Sequence, residues 1–345
     1  EADVFILAVP TPFKDNFVPD ISYIEAATKK IAPHIQPQNL IILESTVPPL
    51  TCRNVMTPII EASGLSVGNN IYLAHCPERI LPGDIFYEIV HNDRIIGAAD
   101  SVSQDLAARL YTSFVKGELL ITDDITAEFV KLIENTYRDV NIALANELSS
   151  VAQSLQIDPG TAINLANRHP RVNILKPGIG VGGHCIPIDP FYLTWKAKEL
   201  GMNTRFIELA GEINTSMPFY VIRKSVEALN NRGKSINGNK VLVLGLAYKK
   251  NVDDTRESPS LVIIDLLLKE GALVDYHDPL VKSMVKTRKY SFQLKSVSLK
   301  YIQNYDCVIL ATDHDDLDYQ IIEKKSRILI DTRGKFRNSL NVIHA

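Results

Sequence analysis

Short apolar runs alternate with helix-like stretches over the first third of the chain. The runs are VFILAVP (4–10), LIILEST (40–46), IYLAHCP (71–77) and DRIIGAA (93–99). A short, continuously apolar run that ends in a turn signal is typical of a strand buried on both faces of a parallel sheet. Ser22–Ile31, between the first two runs, has helical periodicity and is closed by Pro33. The pattern predicts a parallel sheet covered by helices.

The middle of the chain is helical by the same criterion. Residues 126–155 keep a helical period without Pro or Gly, which predicts one long helix. More helix is predicted between Tyr192 and Asn231, where Pro218 should break or begin a helix because proline lacks the backbone N–H. A Gly- and Pro-rich loop, Lys176–Pro190, separates the two helical regions.

Alternation resumes after Lys240. The runs here are KVLVLGLAYK (240–249), ALVDYHDP (272–279), DCVILATDH (306–314) and RILIDTRG (327–334). With a predicted helix at 261–270, they indicate a second α/β region. We therefore expect an α/β protein with two parallel-sheet domains joined by a helical middle, divided at 1–120, 121–230 and 231–345.

Composition narrows the functional classes. The 345 residues carry a formal net charge of -3, so no basic surplus points to nucleic acid or a membrane surface as a partner. The four cysteines lie far apart without the Cys or His pairing of a zinc site, and we expect neither a metal nor a disulfide framework. No run of about 20 apolar residues and no signal peptide is visible. These features predict a cytoplasmic protein in a reducing compartment.

The most informative chemistry lies in Gly178–Pro190, GIGVGGHCIPIDP. Its glycines match the dinucleotide pattern GxGxxG as a string, but that pattern needs a strand before it and an uninterrupted helix after it, and prolines stand on both sides here. We interpret the glycines as a flexible loop whose N–H groups approach a reactive cysteine, Cys185, because the thiolate is the reactive form of the side chain. The alternative, a buried structural cysteine, fits Cys52, Cys76 and Cys307 better.

The same segment resembles the active-site loop of the UDP-glucose/GDP-mannose dehydrogenase family. Further landmarks stand in that family's order along the chain: AVPTP (8–12), EST (44–46), CPER (76–79), KLIENTYRDVNIALANE (131–147) and YKKNVDDTRESP (248–259). The resemblance covers nearly the whole chain. It implies an N-terminal Rossmann domain that binds NAD, a helical middle that dimerises, and a C-terminal Rossmann-like domain that binds UDP.

The resemblance also implies a four-electron oxidation of a sugar C6 hydroxymethyl group to a carboxylate, with two NAD molecules used in succession. Cys185 would capture the aldehyde and then carry a thioester that water hydrolyses. Lys131 and Asn135, four residues apart and so on one helix face, match the family's oxyanion-stabilising positions, and their alternative is an exposed polar stripe. Asp189 matches the aspartate that organises the thiol and water, and its alternative role is to brace the Pro-rich turn.

Other matches concern the base and the cofactor. Glu78 matches the family glutamate that acts as general base in thioester hydrolysis, and its alternative is a salt bridge with Arg79. Thr46 matches a position that orients water and the nicotinamide, and its alternative is a helix N-cap. Thr11 and Arg256 match contacts to the cofactor, in the case of Arg256 to its diphosphate.

The remaining matches concern the substrate. Tyr248 and Lys249 stand where the family holds the sugar-nucleotide phosphates, and Arg333 follows a strand and is expected to clamp UDP, since a guanidinium pairs phosphate oxygens bidentately. Arg171 resembles the arginine that reaches substrate in a neighbouring subunit, so a homodimer or a larger homo-oligomer is implied. A surface salt bridge is the alternative for each of these arginines and for Arg256.

The sequence departs from the family pattern at two points. Leu50, Thr51 and Cys52 replace the Gly-Thr-Thr that many relatives carry after the two prolines of the EST segment. The chain also opens on a strand-like run, without the strand, glycine turn and helix that hold a dinucleotide diphosphate. We therefore expect the sequence to be part of a longer protein whose preceding segment carries that glycine fingerprint.

The substrate prediction rests on shorter matches. HNDRIIG (91–97), FVKGE (114–118) and NRHPRVN (167–173) resemble family members that act on UDP-N-acetylmannosamine, whereas IDPFYLTWKAKE (188–199) equally suits those that act on UDP-N-acetylglucosamine. We predict the mannosamine compound, for surface-polysaccharide synthesis, with UDP-N-acetylglucosamine or UDP-glucose as the alternatives. A non-catalytic nucleotide-sugar-binding remnant and a two-electron 2-hydroxy-acid dehydrogenase are the rival functions.

Overall fold

The computed structural model describes residues 2–14, 18–80, 84–284, 286, 289–336 and 339–345. The chain divides into two compact units, one formed by Glu1–Thr136 with Ile188–Thr204 and the other by Tyr137–Pro187 with Arg205–Ala345. Each unit is built on a five-stranded sheet. Within the described ranges, no helix is long and apolar enough to cross a bilayer.

The sheet of the first unit contains one antiparallel pair. Its strands, in spatial order, are β1 (Val4–Leu7), β2 (Leu40–Leu43), β3 (Tyr72–His75), β4 (Arg94–Ala98) and β5 (Leu119–Thr122). Neighbours run parallel except β3 and β4, so the prediction of a wholly parallel sheet is wrong at β4. A parallel connection needs a crossover, which is usually a helix packed on the sheet. The helix between β3 and β4, Ile85–His91, has no buried residue, so it does not make such a crossover.

The first unit also contains helices, some of which pack on the two faces of this sheet. They are α1 (Ser22–Ile31), α2 (Thr57–Glu61), α3 (Ile85–His91), α4 (Ser101–Thr112), the first part of α5 (Asp124–Ser154), and α7 (Asp189–Glu199). Ile41 of β2 lies in one apolar cluster with Ile24 of α1, and Ile42 lies in another with Tyr111 of α4. Because successive side chains of a strand point to opposite faces, burial on both faces explains why β2 is apolar throughout.

The second unit has a sheet in which every neighbouring pair is parallel. Its strands, in spatial order, are β12 (Val342–His344), β11 (Leu329–Asp331), β10 (Cys307–Leu310), β6 (Lys240–Leu244) and β7 (Leu273–His277). Its helices are the rest of α5, α6 (Pro159–Ala166), α8 (Arg205–Asn230), α9 (Pro259–Lys269) and α10 (Tyr319–Lys325), and β8 (Ser283–Met284) and β9 (Leu294–Lys295) form a small antiparallel pair. The predicted second α/β region is confirmed.

The long helices are also confirmed, with one correction. α5 spans nearly the residues that the periodicity predicts, but α8 continues through Pro218 instead of breaking or beginning there. A proline cannot donate to the carbonyl four residues earlier, which here is that of Asn214. Gly180 approaches this carbonyl so closely that a Cβ on the glycine would lie 2.5 Å from the Asn214 oxygen. The helix therefore tolerates Pro218 at a point where its own carbonyl already faces another segment.

Candidate active site

Hydrogen bonds join the polar residues that follow the carboxyl ends of β1 and β2. The Ser45 hydroxyl accepts from the Val9 N–H over 2.8 Å and donates to the Val9 carbonyl over 2.7 Å. The Thr11 hydroxyl donates to the Thr46 carbonyl over 2.8 Å, and Tyr192 donates to the Thr11 carbonyl. Ligands of α/β sheets bind beyond the carboxyl ends of the strands. Thr11 and Thr46 therefore lie at the edge of the sheet where a ligand of such a fold binds.

Lys131 and Glu78 are joined in the first unit. Lys131 lies on α5, and its Nζ donates to the backbone carbonyl of Glu78. Lys131 is only 8% exposed, so the alternative of an exposed polar stripe is wrong. Burying an ammonium group is costly unless it has a partner. A buried cation fixed beside the Glu78 segment is suited to stabilising negative charge that develops on a substrate.

Asn135 lies one helical turn beyond Lys131 and is fully buried. Its Nδ2 donates to Oδ2 of Asp189, which is the first residue of α7. Asp189 is 3% exposed. The hydrogen bonds made by these two α5 side chains bring predicted catalytic residues together in the first unit: Glu78, Lys131, Asn135 and Asp189. The spacing of Lys131 and Asn135 in the sequence indicates that they share a helix face, and the structure shows that both are buried.

The Glu78 carboxylate does not pair with Arg79. Arg79 forms an ion pair with Glu134 at 2.7 Å and donates to the Asp93 carbonyl over 3.0 Å. Oε2 of Glu78 instead lies 3.7 Å from Nη2 of Arg94. The salt-bridge alternative with Arg79 is therefore wrong, and Arg94 is a residue that the sequence interpretation missed.

Cys185 lies in the second unit and differs from the other cysteines in exposure. It is half-buried, on the loop between α6 and α7, whereas Cys52, Cys76 and Cys307 are buried. Burial raises the pKa of Cys76 and of Cys307 to about 12, and burial together with Glu128 raises the pKa of Cys52 well above its usual range. Since the thiolate is the nucleophile, these three thiols are poorly suited to covalent chemistry. Cys185 is the remaining candidate.

The glycines of residues 176–187, which we call the cysteine loop, make room for neighbouring side chains. A Cβ on Gly182 would lie 2.6 Å from the Tyr248 Cβ, and one on Gly178 would lie 2.6 Å from Nη1 of Arg333. Gly180 has a φ of +113°, a conformation that side chains disfavour. The flexible-loop interpretation is thus incomplete, because the glycines also permit close packing on two predicted UDP-binding residues.

Tyr248 and Arg333 are both half-buried. Burial, Asp254 and Cys185 raise the pKa of Tyr248, so its hydroxyl remains a donor at neutral pH. Arg333 donates from Nε to the Ala311 carbonyl over 2.7 Å, and burial lowers its pKa. Both side chains offer donors of the kind that phosphate oxygens accept.

The other predicted binding residues are more exposed. Lys249 and Arg171 lie at the surface of the second unit. Arg256 is also exposed and forms an ion pair with Asp254 at 2.7 Å, as the salt-bridge alternative states. Its backbone carbonyl accepts from the Gly183 N–H over 3.0 Å, which ties this segment to the cysteine loop.

A buried polar network, formed by Asp139, Asn146 and Asn214, holds the start of the cysteine loop. Oδ1 of Asn146 accepts from the Gly178 N–H over 2.8 Å, and its Nδ2 donates to Asn214 over 3.0 Å. Nδ2 of Asn214 in turn donates to Oδ1 of Asp139 over 2.7 Å. The sequence interpretation missed this network. Its one local signal is the seven-residue spacing of Asp139 and Asn146, which places both on one face of α5.

We expect Asp139→Asn to stabilise the protein above neutral pH. Burial raises the pKa of Asp139 from 3.8 to about 6, so the folded state keeps a proton that the unfolded chain releases between those values. Stability therefore falls as pH rises through this window, and above it the buried charge costs about 3 kcal/mol. Asparagine keeps an acceptor for Asn214 without the charge.

Denaturant unfolding near pH 4.5 and near pH 8 tests this, with a gain of about 2 to 3 kcal/mol expected near pH 8 and a smaller one near pH 4.5. A gain or loss of equal size at both pH values would contradict a role for Asp139 ionisation.

The departure at Leu50 is accommodated locally. Leu50, where many relatives carry glycine, has a φ of +78°, which normally disfavours a side chain. The N–H groups of Leu50 and Cys52 donate to the Glu128 carboxylate over 2.6 and 2.8 Å, and burial raises the pKa of Glu128 to about 7. These two bonds hold the turn, so the left-handed conformation persists without glycine.

Comparison with known proteins identifies the lineage. Models of three consecutive domains match: the NAD binding domain of the UDP-glucose/GDP-mannose dehydrogenase family at residues 1–115, its central domain at 125–216, and its UDP binding domain at 242–338. The chain belongs to this family. The resemblance drawn from the motifs is confirmed, together with the expectation of a dehydrogenase that uses NAD and has a UDP-binding domain.

Similar members of the UDP-glucose/GDP-mannose dehydrogenase family match over almost all of the chain. It is 42% identical to the UDP-N-acetyl-D-mannosamine dehydrogenase of Methanococcus maripaludis, over 99% of this chain and 78% of that protein. It is 39% identical to the NDP-N-acetyl-D-galactosaminuronic acid dehydrogenase of Ralstonia nicotianae, over 96% and 79%. The solved UDP-N-acetyl-D-mannosamine dehydrogenase of Pyrococcus horikoshii is 39% identical, with a TM-score of 0.89 over 99% of this chain and 80% of that one.

Proposed function

We propose that the protein oxidises C6 of UDP-N-acetyl-D-mannosamine to a carboxylate, through a thioester on Cys185, and so supplies UDP-N-acetyl-D-mannosaminuronate for surface-polysaccharide synthesis. The relatives from Methanococcus and Pyrococcus named above support this substrate. The observation that carries the chemistry is Cys185 itself. It is the half-buried cysteine among four, on a glycine loop packed against Tyr248 and Arg333.

We assign substrate binding to the second unit and cofactor binding largely to the first. Tyr248, Lys249 and Arg333 bind the UDP phosphates, and Arg171 reaches the substrate of a partner subunit. The cofactor contacts are Thr11 and Thr46 at the ends of β1 and β2, with Arg256 as a further contact to the diphosphate. The matches to an NAD binding and a UDP binding domain support this division.

The covalent chemistry is assigned to the chain's own side chains. NAD bound by Thr11, Thr46 and Arg256 would supply the hydride acceptor for the two oxidations. The Cys185 thiolate attacks the aldehyde carbon, and the adduct becomes the thioester in the second oxidation. Lys131 and Asn135 stabilise the developing oxyanion, and Asp189 orients the Asn135 amide through their hydrogen bond. Glu78 takes a proton from the water that hydrolyses the thioester.

We also propose a homodimer, with the three functional domains 1–120, 121–230 and 231–345, in the cytoplasm. The second half of α5 supports the dimer, because it exposes apolar side chains at helical spacing: Leu144, Leu148 and Val151, with Leu155 just beyond. A second copy would cover this stripe. The family's domain models cover three successive parts of the chain and support the division. The wide spacing of the four cysteines along the sequence, without a pairing pattern, agrees with a reducing compartment.

Counting NADH tests the function. The full-length gene product should form two NADH per UDP-N-acetyl-D-mannosamine consumed and release no aldehyde, because the adduct stays on Cys185. UDP-N-acetylglucosamine, UDP-N-acetylgalactosamine and UDP-glucose are the comparison substrates, and a higher kcat/KM for one of them would reassign the sugar. One NADH per substrate would overturn the thioester route, and none with any of the sugars would favour a binding remnant.

A further inference from the structure

The direction of β4 decides where Arg94 lies. β4 pairs antiparallel with β3, with Ala74 opposite Ala98 and His75 opposite Gly97. If the same register is extended along both segments, Arg94 lies opposite Glu78. Arg94 is the first residue of β4, so the antiparallel direction places it at the carboxyl edge of β2 and β3. In a parallel sheet the beginning of β4 would lie at the opposite edge.

The Arg94 guanidinium is buried between two carboxylates. The side chain is 7% exposed, with Nη1 3.4 Å from Oε1 of Glu44 and Nη2 3.7 Å from Oε2 of Glu78. It also lies over the ring of Tyr111, 4.8 Å from the centroid, and the Tyr111 hydroxyl donates to Oε1 of Glu44 over 2.6 Å. Because a guanidinium is planar and rigid, anchoring one nitrogen fixes the direction of the other.

Glu78 is held at both carboxylate oxygens. Oε1 accepts from the Ile80 N–H over 2.6 Å, and Oε2 faces Arg94. The Glu78 side chain is 40% exposed, whereas that of Glu44 is 20% exposed. Glu44, with Tyr111 and Arg94 around it, therefore forms the less exposed anchor, and Glu78 carries the carboxylate that water reaches more readily.

We propose that Arg94 is a positioning residue for thioester hydrolysis: anchored on Glu44 and Tyr111, it directs the Glu78 carboxylate toward the attacking water. This inference rests on the proposed function of Glu78. In the hydrolytic step the water oxygen bonds to the thioester carbon while Glu78 takes a water proton. The C–S bond then breaks, its electron pair leaves with the Cys185 sulfur, and Glu78 returns its proton to solvent. Arg94 exchanges no proton and acts through Glu78.

The test separates hydrolysis from the oxidations that precede it. With UDP-N-acetyl-D-mannosamine and NAD, full-length Arg94→Met should still form two NADH per active site in a rapid first turnover. Its steady-state kcat should fall on the order of 100-fold, because the water is no longer aligned. Mass spectrometry of the quenched enzyme should find the sugar linked to Cys185. Arg94→Lys keeps the charge but loses the fork, and should show the same pattern with a smaller loss.

Arg79→Met is the matched control, since Arg79 neighbours Glu78 in sequence but pairs with Glu134. It should keep the wild-type kcat. Arg94→Met should cause no further loss in a Glu78→Gln background, because its effect passes through that carboxylate. If Arg94→Met does not fold, Arg94→Lys decides the outcome.

Wild-type kcat in the folded Arg94 variants, or a full additional loss in the Glu78→Gln background, would overturn the role of Arg94 and leave the proposed function standing. A wild-type enzyme that forms fewer than two NADH per sugar would overturn the proposed function itself.

Discussion

Replacing Cys185 by alanine is expected to lower kcat for the four-electron oxidation by about 10⁴-fold or more, because removal of a catalytic nucleophile eliminates the covalent route. Cys185→Ser should also be severely impaired, since an alkoxide forms less readily and leaves less readily than a thiolate. NADH formation at saturating UDP-N-acetyl-D-mannosamine and NAD measures the loss. Normal two-NADH turnover by Cys185→Ala would show that the nucleophile has been misassigned.

The other cysteines provide the control. Cys76 and Cys307 are buried, and burial raises their pKa to about 12, so neither is ionised at neutral pH. Cys307→Ala should keep the wild-type kcat, with a loss of stability expected from the small cavity in β10. Brief treatment with iodoacetamide should modify Cys185 first, and UDP-sugar should protect it. Preferential modification of a buried cysteine in the folded protein would contradict this assignment.

Gly182→Ala is expected to lower kcat/KM by about 100-fold or more. The added Cβ would lie 2.6 Å from the Tyr248 Cβ and 2.9 Å from the Pro259 Cδ, so the cysteine loop or the Tyr248 segment must shift. A displacement of about 1 Å at a reacting group can cost this much activity. Gly182 does not have a positive φ, so the effect is steric rather than conformational.

Gly160→Ala is the matched substitution in the second unit. Gly160 lies in the first turn of α6, and an added Cβ there meets nothing closer than 3.6 Å. It should keep the wild-type kcat/KM, and thermal unfolding should show whether Gly182→Ala retains a folded structure. Full activity in Gly182→Ala would mean that the packing of the loop on Tyr248 is unimportant for catalysis.

Hydrophobic periodicity was sufficient to predict the long helix and eight of the ten strands in the two large sheets, but it missed β5 and β12 and did not give the direction of every strand. DRIIGAA is apolar whichever way it runs, because burial on both faces leaves no directional signal. The information lies in the connection, where no residue of α3 is buried against the sheet. The sequence shows Arg94 only as part of the DRIIGAA run, because its position beside Glu78 follows from the direction of β4.

The candidate site divides in a similar way. The motifs identify Cys185, Lys131 and Glu78, while the structure adds partners that come from distant parts of the chain. Asn214 reaches the loop from α8, and no local pattern relates it to Asn146, 68 residues earlier. Such pairs arise from tertiary packing, so propensity and spacing do not reveal them. Pro218 likewise depends on tertiary structure, because the carbonyl four residues before it faces Gly180.

The packing of the cysteine loop has a consequence for engineering. A Cβ on Gly182 would collide with the Tyr248 Cβ, and one on Gly178 would displace the end of the Arg333 side chain. Gly183, with a φ of +87°, lies against the Tyr248 ring. The cysteine loop therefore has little space for added side chains at these glycines. Saturation libraries aimed at a new sugar preference should lose nearly every substitution at these glycines, and successful variants should carry their changes on the surrounding elements.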